Sequence, residues 1–170
     1  MSSFSYLRKN EEFEIWLFQP DLLHAFPFSI EQVTKSWRIR LAFEYFIGTE
    51  TYFIKKDNKW AGYCIVTNGR NPRYSFSNAQ DIVFGRYFVA KEFRGDGLGY
   101  RLLDEVLNKS GILYNNAFAY VKKTNLSSMK TILKLGAEEV YRFDIKGFLR
   151  RFHKNDEGEY ILFRYRRELP

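Results

Sequence analysis

One stretch limits the folds open to this chain more than any other. Residues Ile82 to Val89 form an apolar run that reads as a buried strand. A charged, glycine-rich turn follows, Ala90-Lys91-Glu92-Phe93-Arg94-Gly95-Asp96-Gly97. Leu98, Leu102, Leu103, Val106 and Leu107 then recur at helical spacing, so the turn opens a helix. Strand, glycine turn and helix N-terminus together can hold an anion. The first backbone N–H groups of a helix lack internal partners, and the helix dipole places partial positive charge there. Gly95, Gly97 and Gly99 carry no Cβ, so a phosphate can come close to the backbone. The simpler reading is a tight turn that binds nothing.

Two phosphate motifs are excluded. A Walker loop ends in Gly-Lys-Ser/Thr, whereas this turn ends Gly-Leu-Gly. The dinucleotide fingerprint G-x-G-x-x-G lacks its third glycine, because Tyr100 and Leu102 stand where it is sought. The tripeptide Arg94-Gly95-Asp96 invites an adhesion reading, but a strand-to-helix junction is not an exposed loop tip. What remains is R-x-x-G-x-G.

A second block lies downstream. Ala117 to Val121 reads as a short strand, Asn125-Leu126-Ser127-Ser128 follows, then a helix from Met129 to Leu135, then Gly136-Ala137. Asn125 is a good helix N-cap and Gly136 a good C′ residue on structural grounds alone.

The two blocks, in this order and joined by one helix and one strand, resemble motifs A and B of the GNAT superfamily of N-acetyltransferases. The resemblance implies an α/β (mixed α+β) fold. Its centre is a mostly antiparallel twisted sheet of about six to seven strands, flanked by about four helices. It also implies acetyl-CoA as co-substrate. Its pyrophosphate would be cradled by Arg94, Gly95, Asp96, Gly97, Leu98 and Gly99. Backbone groups of Phe88 and Val89 would meet the pantetheine arm, with Asn125 and Ser128 contributing from the second block.

Length and composition fit one domain over residues 1–170, long enough for a real core. Hydrophobic content of 45% and aromatic content of 19% set disorder aside. The single cysteine, Cys64, sits in the apolar run Ala61 to Val66 and reads as a buried small hydrophobe. His24 and His153 are far apart in sequence, and nothing has metal-ligand spacing, so no metal is expected. No apolar run is long enough to span a membrane, and Met1-Ser2-Ser3 leads into no signal peptide. The expected location is cytoplasmic and the expected state monomer or homodimer. The net charge of +7 suits a polyphosphate co-substrate or an acidic acceptor. It also raises a nucleic-acid reading, which the interleaving of bases with acids, as in Arg101-Asp104-Glu105-Lys109, argues against.

Along the chain, Phe4 to Leu7 and Phe13 to Phe18 read as strands and Asp21 to Ala25 as a helical turn. Ser29-Ile30-Glu31-Gln32 is a capping box that opens a helix reaching about Phe46. Thr51 to Lys56 and Trp60 to Thr67 read as a hairpin around Asp57-Asn58-Lys59. Asn68 to Ala79 is a loop, and Ser110-Gly111 a turn. Glu139 to Ile145 and Tyr160 to Arg166 are closing strands on either side of a loop.

The chemistry the resemblance implies is attack by a primary amine on a thioester carbonyl in a ternary complex. A lysine-like amine is only about 0.1% neutral at pH 7. A carboxylate near the strand is therefore sought as base, Asp81 first and Glu44 second. Many relatives place a tyrosine seven residues after the motif B asparagine, as acid for the leaving thiolate; here that residue is Ile132. Tyr120 or Tyr141 could substitute, or a thiolate can leave unaided. A non-catalytic module that holds acyl-CoA is the alternative. The late stretch Lys146 to Lys154 mixes aromatics with bases. Arg150 and Arg151 there are candidates for an anionic acceptor, such as a nucleotide amino sugar or an acidic metabolite.

Overall fold

Two residues in the left-handed region fix the hairpin between β3 (Thr49–Lys56) and β4 (Lys59–Asn68). Asp57 has φ 50° and Asn58 φ 60°, the backbone of a two-residue turn whose twist matches the flanking strands. Lys56 pairs with Lys59 across it, and the antiparallel register runs on to Thr49↔Thr67. In this computed structural model, residues 3–9, 12–19, 48–108, 113–147 and 151–167 are described. The predicted turn at 21–25, the capped helix from Ser29, Glu44, the turn at 110–111 and Arg150 lie outside them.

The chain divides into two compact units, Met1–Thr67 with Arg86–Gly111, and Asn68–Gly85 with Ile112–Pro170. Strand β5 (Ile82–Val89) contributes residues to both.

In the first unit, β1 (Ser3–Lys9), β2 (Glu14–Gln19), β3 and β4 follow in sequence order, each antiparallel to the last. Ile54, Ala61, Tyr63 and Cys64 are fully buried, so β3 and β4 read as near-continuous apolar runs. Phe18, Phe53, Tyr63 and Ile65 form one cluster, against which Trp16, Trp60 and Phe88 pack. After β5 comes a single 3-10 turn (Lys91–Phe93), then α1 (Leu98–Asn108). Leu98, Leu102, Leu103, Val106 and Leu107 make the buried face of α1, the spacing that marked it as a helix.

In the second unit the strand order is β5, β6 (Asn116–Lys122), β9 (Tyr160–Arg166), β7 (Glu138–Lys146), β8 (Arg151–Lys154). β5 and β6 are parallel; the other pairs are antiparallel. Alternation gives this sheet two different faces. Val121, Ile161 and Phe163 take α2 (Leu126–Lys134) through Ile132 and Met129. Val83, Phe118, Phe143 and Leu162 meet Tyr74 of the loop 69–81 and Phe152 of β8.

The fold class is as expected, an α+β fold on a mixed sheet, but the strand count is corrected upward. Nine strands are described against an expected six to seven. Eight of the nine fall on stretches that read as strands in the sequence, and the ninth is β8, which lies within the basic stretch Lys146 to Lys154 that reads as a loop. Gly147 turns with φ 73°, and Arg151 to Lys154 pair back onto Phe143 to Lys146. The strand is short and strongly charged, as edge strands often are, and its composition hid it.

Candidate cofactor site

The glycine turn is built from three contacts within the first unit. Ala90 N–H donates to Ala61 C=O at 2.9 Å, which fixes the end of β5 to β4. Arg94 turns back, and its Nε donates to Val89 C=O at 3.0 Å while its guanidinium lies over the Phe88 ring. Lys56, at the end of β3, donates to the Asp96 carboxylate at 2.6 Å. The Asp96 bond holds the Lys56 ammonium above its ordinary pKa. Thus Arg94 and Asp96, both expected at the cofactor, also close the turn. Lys56 was missed, because its partner lies forty residues away and no local pattern links them.

The three glycines differ. Gly95 has φ 101° and Gly97 φ 73°, conformations that an L side chain rarely adopts, and a Cβ at either would point into open space. Gly99 needs no unusual φ, and a Cβ there would only touch the Val89 and Tyr87 side chains. Arg101 N–H donates to Gly97 C=O at 3.1 Å, so the amides of Leu98, Gly99 and Tyr100 precede the first bond of that kind in α1.

Backbone hydrogen bonds hold both ends of β5. Gly69 N–H donates to Asp81 C=O at 2.8 Å, and Ala90 N–H to Ala61 C=O at 2.9 Å. A Cβ on Gly62 would collide with the Phe88 carbonyl, so that carbonyl faces β4. Alternation then turns the N–H and C=O of Val89 to the opposite edge. The β5–β6 register comprises Ile82↔Ala117, Val83↔Phe118 and Phe84↔Ala119.

Motif B lies in the second unit. Asn125 Oδ1 accepts from Ser128 N–H at 3.2 Å, capping α2. Gly136 has φ 86°; its N–H donates to Leu133 C=O, and Ala137 N–H to Ile132 C=O, which is a Schellman close. Ile132, at the position where relatives carry a tyrosine, is 5% exposed and packs onto Val121, Ile161 and Phe163.

Asp81 is 2% exposed, and its carboxylate accepts three hydrogen bonds. Asn78 N–H donates to its Oδ2 at 2.8 Å, and Asn116 donates to its Oδ1 through N–H (3.1 Å) and Nδ2 (2.9 Å). The carboxylate therefore ties the loop 69–81 to the start of β6. Arg151 is exposed on β8. Among the described residues no group of acidic, histidine and cysteine side chains is arranged to hold a metal, and no helix is long and apolar enough to cross a membrane.

A family model described as Acetyltransferase (GNAT) family matches residues 13–137. No curated protein matches the chain. Solved structures do. An acetyltransferase of the GNAT family from Streptococcus pneumoniae superposes with TM-score 0.56 at 16% identity, over 90% of this chain and 99% of that one. A Salmonella typhimurium acetyltransferase that modifies the N-terminal serine of ribosomal protein L7/L12 gives 0.61 at 13%, over 96% and 100%. A ribosomal L7/L12 alpha-N-protein acetyltransferase in complex with coenzyme A gives 0.63 at 11%, over 95% and 98%. At these identities the likeness is one of fold. The family match spans most of the chain and contains both glycine turn and capped helix: this chain belongs to the GNAT family of acetyltransferases, which use acetyl-CoA.

Proposed function

We propose that the chain moves an acetyl group from acetyl-CoA to a primary amine by direct attack in a ternary complex. The observation that carries this reading is the turn at Gly95 and Gly97, left-handed and open, ahead of the first amides of α1. Such amides suit a pyrophosphate. Residues Arg94 to Gly99 would hold it, with the Arg94 and Asp96 side chains keeping the turn in shape. Asn125 and Ser128 contribute by fixing the N-terminus of α2.

Acetyl-CoA supplies an activated acyl thioester; the chain supplies orientation and hydrogen bonds. The Val89 N–H, turned away from β4, is the donor we assign to the developing oxyanion, a contact worth about 3 kcal/mol in comparable sites. Asp81 was sought as base, yet its oxygens already accept three N–H bonds, so we assign it to the loop clamp. With no carboxylate free to act as base identified among the described residues, an amine already partly neutral is favoured. A peptide-type α-amine is about 15% neutral at pH 7, against about 0.1% for a lysine-like amine. The L7/L12 enzymes among the structural neighbours act on an N-terminal amine, in keeping with this class.

The second reading, a module that holds acyl-CoA without turnover, is favoured by one observation: Ile132 faces the core where relatives carry their acid. Release of CoA from acetyl-CoA, measured with and without an amine panel, separates the two. Turnover that rises with an α-amine supports the enzyme; binding of acetyl-CoA with no amine-dependent release supports the module.

A further inference from the structure

In the second unit one cationic side chain lies against an aromatic cluster with part of its guanidinium unsatisfied. Arg73 stands in the loop 69–81, and its backbone N–H donates to Asn71 Oδ1 at 3.1 Å, which fixes where the side chain begins. Its guanidinium lies 5.7 Å from the Tyr74 ring centre and 6.0 Å from that of Phe152. These two rings belong to a cluster in which Tyr74, Phe76, Tyr120, Phe143 and Phe152 touch ring to ring. The Arg73 Nε is buried and has no hydrogen-bond partner among the described residues.

Ring faces attract the charge of a guanidinium but do not replace an in-plane acceptor. A buried charged donor left unpaired is costly, and native chains keep few of them. The other such atom among the described residues, Thr49 Oγ1, is an uncharged hydroxyl in the first unit. The loop that carries Arg73 is itself held firmly, by the Asp81 clamp and by Ser77 Oγ donating to Gly69 C=O at 3.0 Å. Arg73 and Phe152 are both half-buried, so the remainder of the guanidinium, on a firmly held loop beside an aromatic ring, can meet an oxyanion on a flat body. Arg151, the cation suggested by sequence, neighbours Phe152 on β8, and strand alternation directs it to the opposite face.

We propose that Arg73 and Phe152, backed by the buried Tyr74, recognise an anionic group, carboxylate or phosphate, carried on a planar aromatic body. That this body is the acetyl acceptor rests on the acetyltransferase reading; the binding itself does not. The test is titration of the whole chain with benzoate, phenyl phosphate and benzamide, followed by thermal unfolding, with acetyl-CoA as a parallel ligand. At least one of the two anions raises the melting temperature and benzamide does not; which anion acts distinguishes carboxylate from phosphate. Arg73→Met weakens the anion response more than about tenfold and leaves the acetyl-CoA response intact. Arg73→Lys, which keeps the charge and loses the fork, shows the same direction and serves if the Met variant does not fold. Equal responses to benzoate and benzamide, no response to either anion, or an undiminished response in the folded variants overturns the proposal. Loss of the acetyl-CoA response alone would count against the enzyme reading and leave this one standing.

Discussion

At the scale of single residues, the account separates glycines that look alike in sequence. Gly95 and Gly97 are required by their positive φ, whereas Gly99 is not. Gly99→Ala is therefore expected to keep stability within about 1 kcal/mol, since alanine is the better helix former. Gly95→Ala should lose about 1–2 kcal/mol, and denaturant titration of both variants checks the contrast. Asp81 gives a second separation. Asp81→Ala strands three donors, and a loss of roughly 2–4 kcal/mol is expected. Were Asp81 also the base, a folded Asp81→Asn variant would bind acetyl-CoA yet lose turnover altogether; the clamp role predicts turnover that survives in whatever fraction folds. Ile132 can be tested by restoring the tyrosine of relatives. Its site is 5% exposed, so Ile132→Tyr should overpack the α2 face and cost about 1–3 kcal/mol by denaturant titration.

At the scale of elements, what could be read from the sequence follows a simple physical division. Elements whose signal lies within a few residues were legible: the Asp57-Asn58 hairpin, the apolar run of β5, the buried stripe of α1, and the cap and Schellman close of α2. Elements whose cause lies far along the chain were not. β8 exists because Phe143 to Lys146 offer an edge to pair with, which its own residues do not announce. The Lys56–Asp96 pair and the Asp81–Asn116 clamp join segments about thirty-five to forty residues apart. The β7–β8 side also carries a pH prediction. Asp144 accepts from Asn155 Nδ2 at 2.7 Å and Glu159 N–H at 3.0 Å, and these bonds hold its carboxyl below the ordinary 3.8. A lowered pKa in the folded state means that its contribution is complete above the ordinary value and is lost as pH falls through the lowered one. The protection factor of the Glu159 amide, its exchange normalised to the intrinsic rate at each pH, should thus be full at neutral pH and fall in acid, and Asp144→Asn should weaken that dependence.

At the scale of the whole molecule, the family match fixes the acyl donor as acetyl-CoA and leaves the acceptor open. One property bears on every assay of it. Cys64 is the single cysteine; it is fully buried, and burial pushes its thiol pKa up. Ellman's reagent should find no thiol in the folded protein and one after unfolding, so CoA release can be followed without background. The central claim, that the Gly95–Gly97 turn holds acetyl-CoA, is tested most directly by thermal unfolding with and without that compound, for the native chain and Gly97→Glu. At about 100 times Kd the ligand should add roughly 2.7 kcal/mol to the native chain, and nothing to a folded Gly97→Glu variant. A folded native chain that acetyl-CoA does not stabilise would contradict the account.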